Sequence, residues 1–172
     1  MRISHFARSP QGVHIRQATL ADHGELAVLF GQLDTFHSDR APWLFRKAAA
    51  CPRSRSYLRT LLADPASGVL VADASVCVGV AVVHLHEAPE VPVFVRRKRT
   101  VIDRIVIHPD WRRRGIGRKL YEGCEAWAKE HHTDWIELNV YEFNEPAQRF
   151  YAALGFETVM RRMCRLVHAG GG

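Results

Sequence analysis

Residues 101–120, VIDRIVIHPDWRRRGIGRKL, hold an alternating apolar run, a proline, two near-adjacent glycines and six cations. The run at 101–108 predicts a strand that Pro109 stops. Ile116, Leu120, Cys124 and Trp127 then share one face of a helix predicted over 114–131. A strand, a tight turn and a helix in that order leave the first N–H groups of the helix unpaired. The helix dipole makes that end an anion site. Gly115 and Gly117 let the backbone approach a phosphate with no Cβ in the way. Arg112, Arg113, Arg114, Arg118 and Lys119 can add charge-assisted contacts. The spacing is neither GxxxxGK[ST] nor GxGxxG, so a P-loop and a Rossmann turn are excluded. Two readings remain: a cradle for the phosphates of one small ligand, or a basic patch that grips nucleic acid.

The rest of the chain bounds the choice. It has 172 residues with a formal net charge of +6, so acidic partners are favoured. No apolar run approaches the roughly 18 residues of a membrane span. The opening MRISHFARSPQG is charged and lacks an apolar core, so residues 1–12 read as an irregular lead-in rather than a secretory signal. Cys51, Cys77, Cys124 and Cys164 follow no CxxC or Cys/His spacing. They read as free thiols in a reducing compartment, the cytoplasm being the expected one.

Residues 14–18 (HIRQA) predict a first strand, and Thr19 with Asp22 forms a relative of the capping box. Leu26, Leu29, Phe30 and Leu33 then mark one face of a helix. The polar and aromatic stretch 34–45, DTFHSDRAPWLF, reads as a loop. A second helix is expected over 54–63, with Tyr57, Leu58, Leu61 and Leu62 inward, before Asp64-Pro65 breaks it. Residues 69–73 and 76–87 predict two strands of a hairpin turning at Ala74 and Ser75, with Pro89 and Pro92 ending the second. A strand at 135–141 would turn Ile136, Leu138 and Val140 to one side. Ala147, Phe150, Tyr151 and Leu154 mark a last helix with Gly155 as its C′ residue. Residues 158–167 predict a final strand or pair of strands, and 169–172 a flexible tail. The expectation is one mixed α/β (α+β) domain over 13–168.

RRRGIG fits R-x-x-G-x-G, and here the chain resembles the GCN5-related N-acetyltransferase (GNAT) superfamily. VIDRIVIHPDWRRRGIGRKLYEGCEAWA is similar to that family's fourth strand, loop and following helix. NEPAQRFYAALGF is similar to its second signature, and HIRQATLADHGEL to its first strand and helix. The resemblance covers nearly the whole chain after residue 13. It implies a central mixed, mostly antiparallel twisted sheet, with parallel, splayed strands four and five and helices on both faces. It also implies acetyl-CoA as co-substrate. Backbone groups of Ile105, Val106 and Ile107 would pair with the pantetheine arm in the manner of an added strand. Amides from Arg112 through Arg113, Arg114, Gly115, Ile116 and Gly117, with Arg118 and Lys119 near, would hold the pyrophosphate. Asn144 matches the family's cofactor-contacting asparagine, and Tyr151 the tyrosine beside the thioester sulfur. The implied reaction is direct transfer of an acetyl group to a primary amine of a small molecule or protein in a ternary complex. A homodimer is an expectation of the resemblance alone.

An amine with a pKa of about 10.4 must lose a proton before it attacks. Asp103, counted two residues before Ile105 on the same strand face, is the expected base, with Asp34, Asp39 and Glu87 as competitors. A strand-four N–H near Ile105 or Val106 would face the oxyanion. The Tyr151 phenol would donate to the leaving thiolate. Asp34, His37, Asp39, Arg40 and Trp43 are the expected acceptor contacts.

Each feature also has a plain structural reading. Tyr151 fits an apolar helix stripe, Asn144 a helix N-cap, and Asp103 an ion pair with Arg104 or Arg99. His84, His86, His131 and His132 have no Cys or acidic partner at ligand spacing, so no metal is expected. Two rival functions stay open. One is a GNAT-like domain that binds acyl-CoA without transfer; the other is a nucleic-acid module using the run RRKR at 96–99. No zinc finger, RNP motif or helix-turn-helix accompanies that run, so neither nucleic acid nor membrane is the expected partner.

Overall fold

The computed structural model describes residues 12–47, 53–88, 91–93, 95–165 and 167. They fall into two compact units, 1–139 and 140–172, and each is described by itself.

The first unit is built on β2 (Ser67–Asp73) and β3 (Cys77–Glu87), whose apolar runs are buried on both faces. A strand reads as continuously apolar only when both faces are covered. Here Val69 and Val71 enter one core while Leu70 and Ala72 enter the other. The strand order is β1-β2-β3-β4-β5, with β1 (His14–Gln17), β4 (Lys98–Ile107) and β5 (Trp135–Leu138) completing the sheet. All neighbours are antiparallel except β4 and β5, which run parallel. The α1 helix (His23–Arg40) and α2 (Arg55–Ala63) cover one face through Leu26, Leu29, Phe30, Leu58 and Leu61. On the other face, α3 (Ile116–Glu130) packs through Ile116, Leu120, Cys124 and Trp127, each at most 4% exposed. The expected mixed sheet with helices on both faces is thus present.

Local signals set several boundaries. Thr19 and Asp22 form the capping box, Asp22 Oδ2 accepting from Thr19 N at 2.7 Å. Ser54 caps α2, accepting from Tyr57 N at 3.1 Å. Tyr57 itself is exposed rather than inward.

Three expectations need correction. Residues 34–40 are not loop but the last two turns of α1. Their polar groups are satisfied without leaving the helix: Thr35 Oγ1 donates to Gly31 O, Ser38 Oγ to Thr35 O, and Arg53 holds Asp34. The helix stops only at Ala41, which precedes Pro42 and leaves the helical region with φ −138° and ψ 67°. The β5 strand ends at Leu138, where its ladder with β4 ends, so Val140 and Tyr141 lie outside it. Described residues after Gly155 form no strand; they join no ladder, and Val159 and Met163 are almost fully exposed.

Two bulges matter for the site. Ala72 pairs with Gly79 and Asp73 with Cys77, so Val78 is the extra residue of β3. Arg104 pairs with Val82 and Ile102 with Val83, which leaves Asp103 as the extra residue of β4.

The second unit contains α4 (Glu145–Ala152). Pro146 sits in its first turn, where a missing N–H costs nothing. Its end is a Schellman pair: Phe156 N donates to Tyr151 O at 3.1 Å and Gly155 N to Ala152 O at 3.0 Å. Gly155 sits at φ +90°, which a side chain would oppose.

Candidate active site

The site begins at the β4 edge that faces β5. The β4–β5 ladder runs only from Arg99↔Trp135 to Ile102↔Leu138, although β4 continues to Ile107. His108 N donates to Val78 O at 2.9 Å, continuing the Ile107↔Gly79 register. In an antiparallel pair the backbone groups point alternately toward and away from the partner. Val106 and Arg104 therefore turn their N–H and C=O to β3, while Ile105 and Ile107 turn theirs to the opposite edge. Ile107 O agrees, accepting from Arg112 Nε at 3.1 Å. Past Ile102 no described residue extends the β5 ladder along this edge. The two residues next to the turn thus offer backbone groups to an added extended segment.

This edge runs into the glycine turn. A 3-10 turn, Pro109–Trp111, follows His108, whose Nδ1 accepts from Asp110 N. Arg113 then takes φ +61° and Gly115 φ +77°. Left-handed residues this close together turn successive N–H groups inward into an anion-binding concavity. A Cβ on Gly115 would meet nothing within 4 Å, so the left-handed backbone rather than crowding calls for glycine. Gly115 is also the N-cap of α3 and supplies no side-chain acceptor, so the first N–H groups of the helix have no cap. Several flanking cations serve the protein itself. Arg112 holds Ile107 O, Arg114 lies over Trp111 at 5.2 Å, and Lys119 Nζ donates to Val13 O at 3.1 Å. Arg113 and Arg118 are exposed.

A second group of side chains lies on the opposite face of β4, against α1. The guanidiniums of Arg53 and Arg104 both lie over the Phe30 ring, 4.9 and 5.4 Å from its centroid. Arg53 holds Asp34 with both terminal nitrogens, Nη2 at 3.0 Å. Arg104 holds its neighbour Asp103, Nε donating at 2.6 Å. Arg104 Nη1 is buried without a hydrogen-bond acceptor, and the negative face of the Phe30 ring is what accompanies the cation there. His37, two turns beyond Phe30 on α1, stacks on Phe45 at 5.0 Å. Burial pushes its pKa below the ordinary value; Asp34 opposes this, and the Arg104 and Arg53 charges add to it.

The count that set Asp103 on the face of Ile105 fails at the bulge. Ile102 and Ile105 both join the α3-side core, so counting by twos does not carry across residue 103. The Asp103 carboxylate goes instead to Arg104, on the α1 side. The predicted acceptor residues also separate. Asp34 and His37 share the polar cluster. Asp39 pairs with Lys47 at 2.9 Å, Arg40 lies over Phe36, and Trp43 is more than half exposed. Phe30, Arg53 and Arg104 were missed as site residues, although Phe30, Asp34 and His37 stand at i, i+4 and i+7.

Other predicted features take structural places. Lys98 and Arg99 of the basic run belong to β4, where Arg99 Nε meets Glu137 at 2.8 Å and Lys98 faces Glu87. His84 Nδ1 contacts Ser67 Oγ at 2.8 Å. Cys77 and Cys124 are buried thiols whose pKa burial raises to about 12, Cys164 is exposed, and Cys51 lies outside the described residues. Among the described residues no helix is long and apolar enough to cross a membrane.

In the second unit, Asn144 caps α4, its Oδ1 accepting from Ala147 N at 3.3 Å. Tyr151 is half-buried, its ring 5.2 Å from Phe150 and 5.6 Å from Phe156.

An open strand edge that runs into a left-handed glycine turn and an uncapped helix start suits an extended ligand with an anionic end. The profile of the Acetyltransferase (GNAT) family matches residues 33–156, and the chain belongs to that family. An uncharacterized N-acetyltransferase of Archaeoglobus fulgidus is 33% identical over 100 residues, 58% of this chain and 66% of that protein. One from Lactobacillus delbrueckii subsp. lactis is 37% identical over 54 residues, 31% of each chain. The chain thus spans less than two thirds of the length of these relatives. Among solved structures, the BH1408 protein of Bacillus halodurans, as a tetramutant, has a TM-score of 0.84 at 31% identity, covering 90% of this chain and 99% of that one. The aminoglycoside N-acetyltransferase AAC(6')-Iy, solved with CoA, shares the fold with a TM-score of 0.67 at 18% identity, covering 91% and 100%.

Proposed function

We propose that the protein transfers an acetyl group from acetyl-CoA to the primary amine of a small molecule. The observation that carries this reading is the β4 edge at Ile105 and Ile107, open past Ile102 and leading into the turn at Arg113 and Gly115. Family membership and the CoA complex of AAC(6')-Iy support acetyl-CoA as co-substrate. The aminoglycoside acetyltransferases among the structural neighbours support a small-molecule amine over a protein acceptor.

Acetyl-CoA, when bound, supplies an acetyl group activated as a thioester. The chain's own groups do the rest. The C=O of Ile105 and the N–H of Ile107 hold the pantetheine arm as an extra strand. Backbone amides from Arg112 to Gly117 hold the pyrophosphate, with Arg113 and Arg118 supplying charge and Arg112, Arg114 and Lys119 bracing the turn. Of the two oxyanion donors considered, Ile105 is the one with a free N–H, because Val106 spends its own on β3. In the second unit, Asn144 contacts the cofactor and Tyr151 donates to the departing sulfur. A phenol near pKa 10 stabilises a thiolate near 8.5 more readily than it protonates it.

Thermal melting with and without acetyl-CoA tests the binding half, and thiol release across a panel of amines tests the transfer. Stabilisation with turnover on some amine is the expected result. Stabilisation with none would favour an acyl-CoA-binding domain without transfer, and no effect of acetyl-CoA would overturn the reading.

A further inference from the structure

We propose that the acceptor carries an anionic group beside its amine, a carboxylate or a phosphate, and that Arg104 receives it. This rests on the acetyltransferase reading above and names the class of substrate. The α3 side of the open edge is apolar, because Ile105 and Ile107 pack against that core. A polar acceptor therefore meets the edge from the α1 side. There Arg104 leaves the strand two residues past the end of the β5 ladder, its guanidinium over Phe30.

A guanidinium carries five N–H donors, and its fork grips the oxygens of an anion along an edge. Asp103 takes one edge of Arg104: Nε and Nη2 both donate to its Oδ2. The edge formed by Nη1 and Nη2 is unused. Nη1 is the one buried side-chain donor without an acceptor among the described residues. An unfilled donor on a charged group is costly to keep, and an oxygen of the acceptor fills it. Nη1 is shut off from water, and a side-chain rotation of the kind common on binding opens it.

The surrounding charge favours the same class. Residues 34–59 hold six cations and two carboxylates, Asp34 and Asp39. Arg53 holds the first carboxylate and Lys47 the second. Arg40, Arg46, Arg55 and Arg59 are exposed, with no carboxylate partner among the described residues. A polycationic acceptor would have to pull Arg53 or Arg104 from its carboxylate, in a field of its own sign. An anion meets an unused guanidinium edge in a field that draws it in.

The rival role is a brace: Arg104 pins the bulge at Asp103 and does nothing more. Thiol release by the full chain with acetyl-CoA separates the two roles over matched pairs of amines. The pairs are an amino acid with its amide and an aminoalkyl phosphate with the amino alcohol; a diamine and an aminoglycoside serve as polycations. The anionic member of at least one pair should be favoured roughly 10- to 100-fold in kcat/KM, the worth of a hydrogen bond to a charged group. Which pair shows the preference tells carboxylate from phosphate. In Arg104→Met the preference should fall to within about threefold. A brace would instead slow both members equally and leave the ratio standing. In wild-type protein with CoA bound, the Arg104 Nε–H resonance should shift with the anionic member and not with its neutral analogue. A preferred neutral or polycationic amine, a ratio unmoved in Arg104→Met, or a resonance indifferent to the anion would each overturn the assignment. If wild type binds acetyl-CoA and acetylates nothing in the panel, the acetyltransferase reading falls and takes the assignment with it.

Discussion

Proline at two neighbouring positions of β4 should have opposite consequences. The backbone of Val106 faces β3, so Val106→Pro removes a ladder hydrogen bond and strands the C=O of Val80, which is fully buried. A buried acceptor left unpaired costs about 1–3 kcal/mol, and the disturbed packing of Val106 adds roughly 1 kcal/mol. Ile105 presents its N–H to the open edge, where proline is tolerated, so Ile105→Pro loses about 1 kcal/mol of packing against the α3-side core. The difference of about 2 kcal/mol corresponds to roughly 4–8 °C in melting temperature for a chain of this size. Activity should order the variants the other way for the folded fraction. Ile105→Pro removes the proposed oxyanion donor, which costs on the order of 100- to 1,000-fold in kcat. Thermal melts and thiol-release kinetics on both variants measure the two quantities. If Val106→Pro is no less stable than Ile105→Pro, the assignment of the edge is wrong. If Ile105→Pro folds and turns over like wild type, the donor role is wrong.

Tyr151→Phe should retain the acetyl-CoA thermal shift and lose turnover tenfold or more, roughly what losing a proton donor costs; unchanged turnover would remove Tyr151 from the mechanism. Leu120 is fully buried in the α3-side core, so Leu120→Ala should destabilise by about 3 kcal/mol in urea unfolding. Arg16 bridges Asp22 and Asp73 and holds both carboxyls below the ordinary range. Their contribution is complete above the unfolded carboxylate pKa of about 3.9 and drains away as pH falls through the lower folded values. Arg16→Met should therefore cost most stability near neutral pH and least in strong acid; a cost that stays constant down to pH 2 would argue against the bridge.

Much of the fold was legible because its determinants are local. The Thr19–Asp22 box, the Ser54 cap and the Gly155 terminus each depend on residues within a few positions of one another. The apolar runs 69–73 and 76–87 read as the two strands of a hairpin, and β2 and β3 form there. The α1 helix ran past its expected end because the partner that satisfies Asp34 is Arg53, a residue no helical count reaches. The strand expected over 158–167 did not form, because a strand exists only through a partner's ladder and that stretch has none among the described residues.

The sequence by itself determined the strand, glycine turn and helix around 101–131, since φ preference, period and helix-end chemistry act over a few bonds. Tertiary structure alone decided which β4 backbone groups face the open edge, because pairing with β3 sets that alternation. The bulge at Asp103 likewise decided on which side of the sheet its carboxylate is held. Only the packing of α1 against β4 and against the segment before α2 brought Phe30 under Arg104 and Arg53, and Asp34 to Arg53.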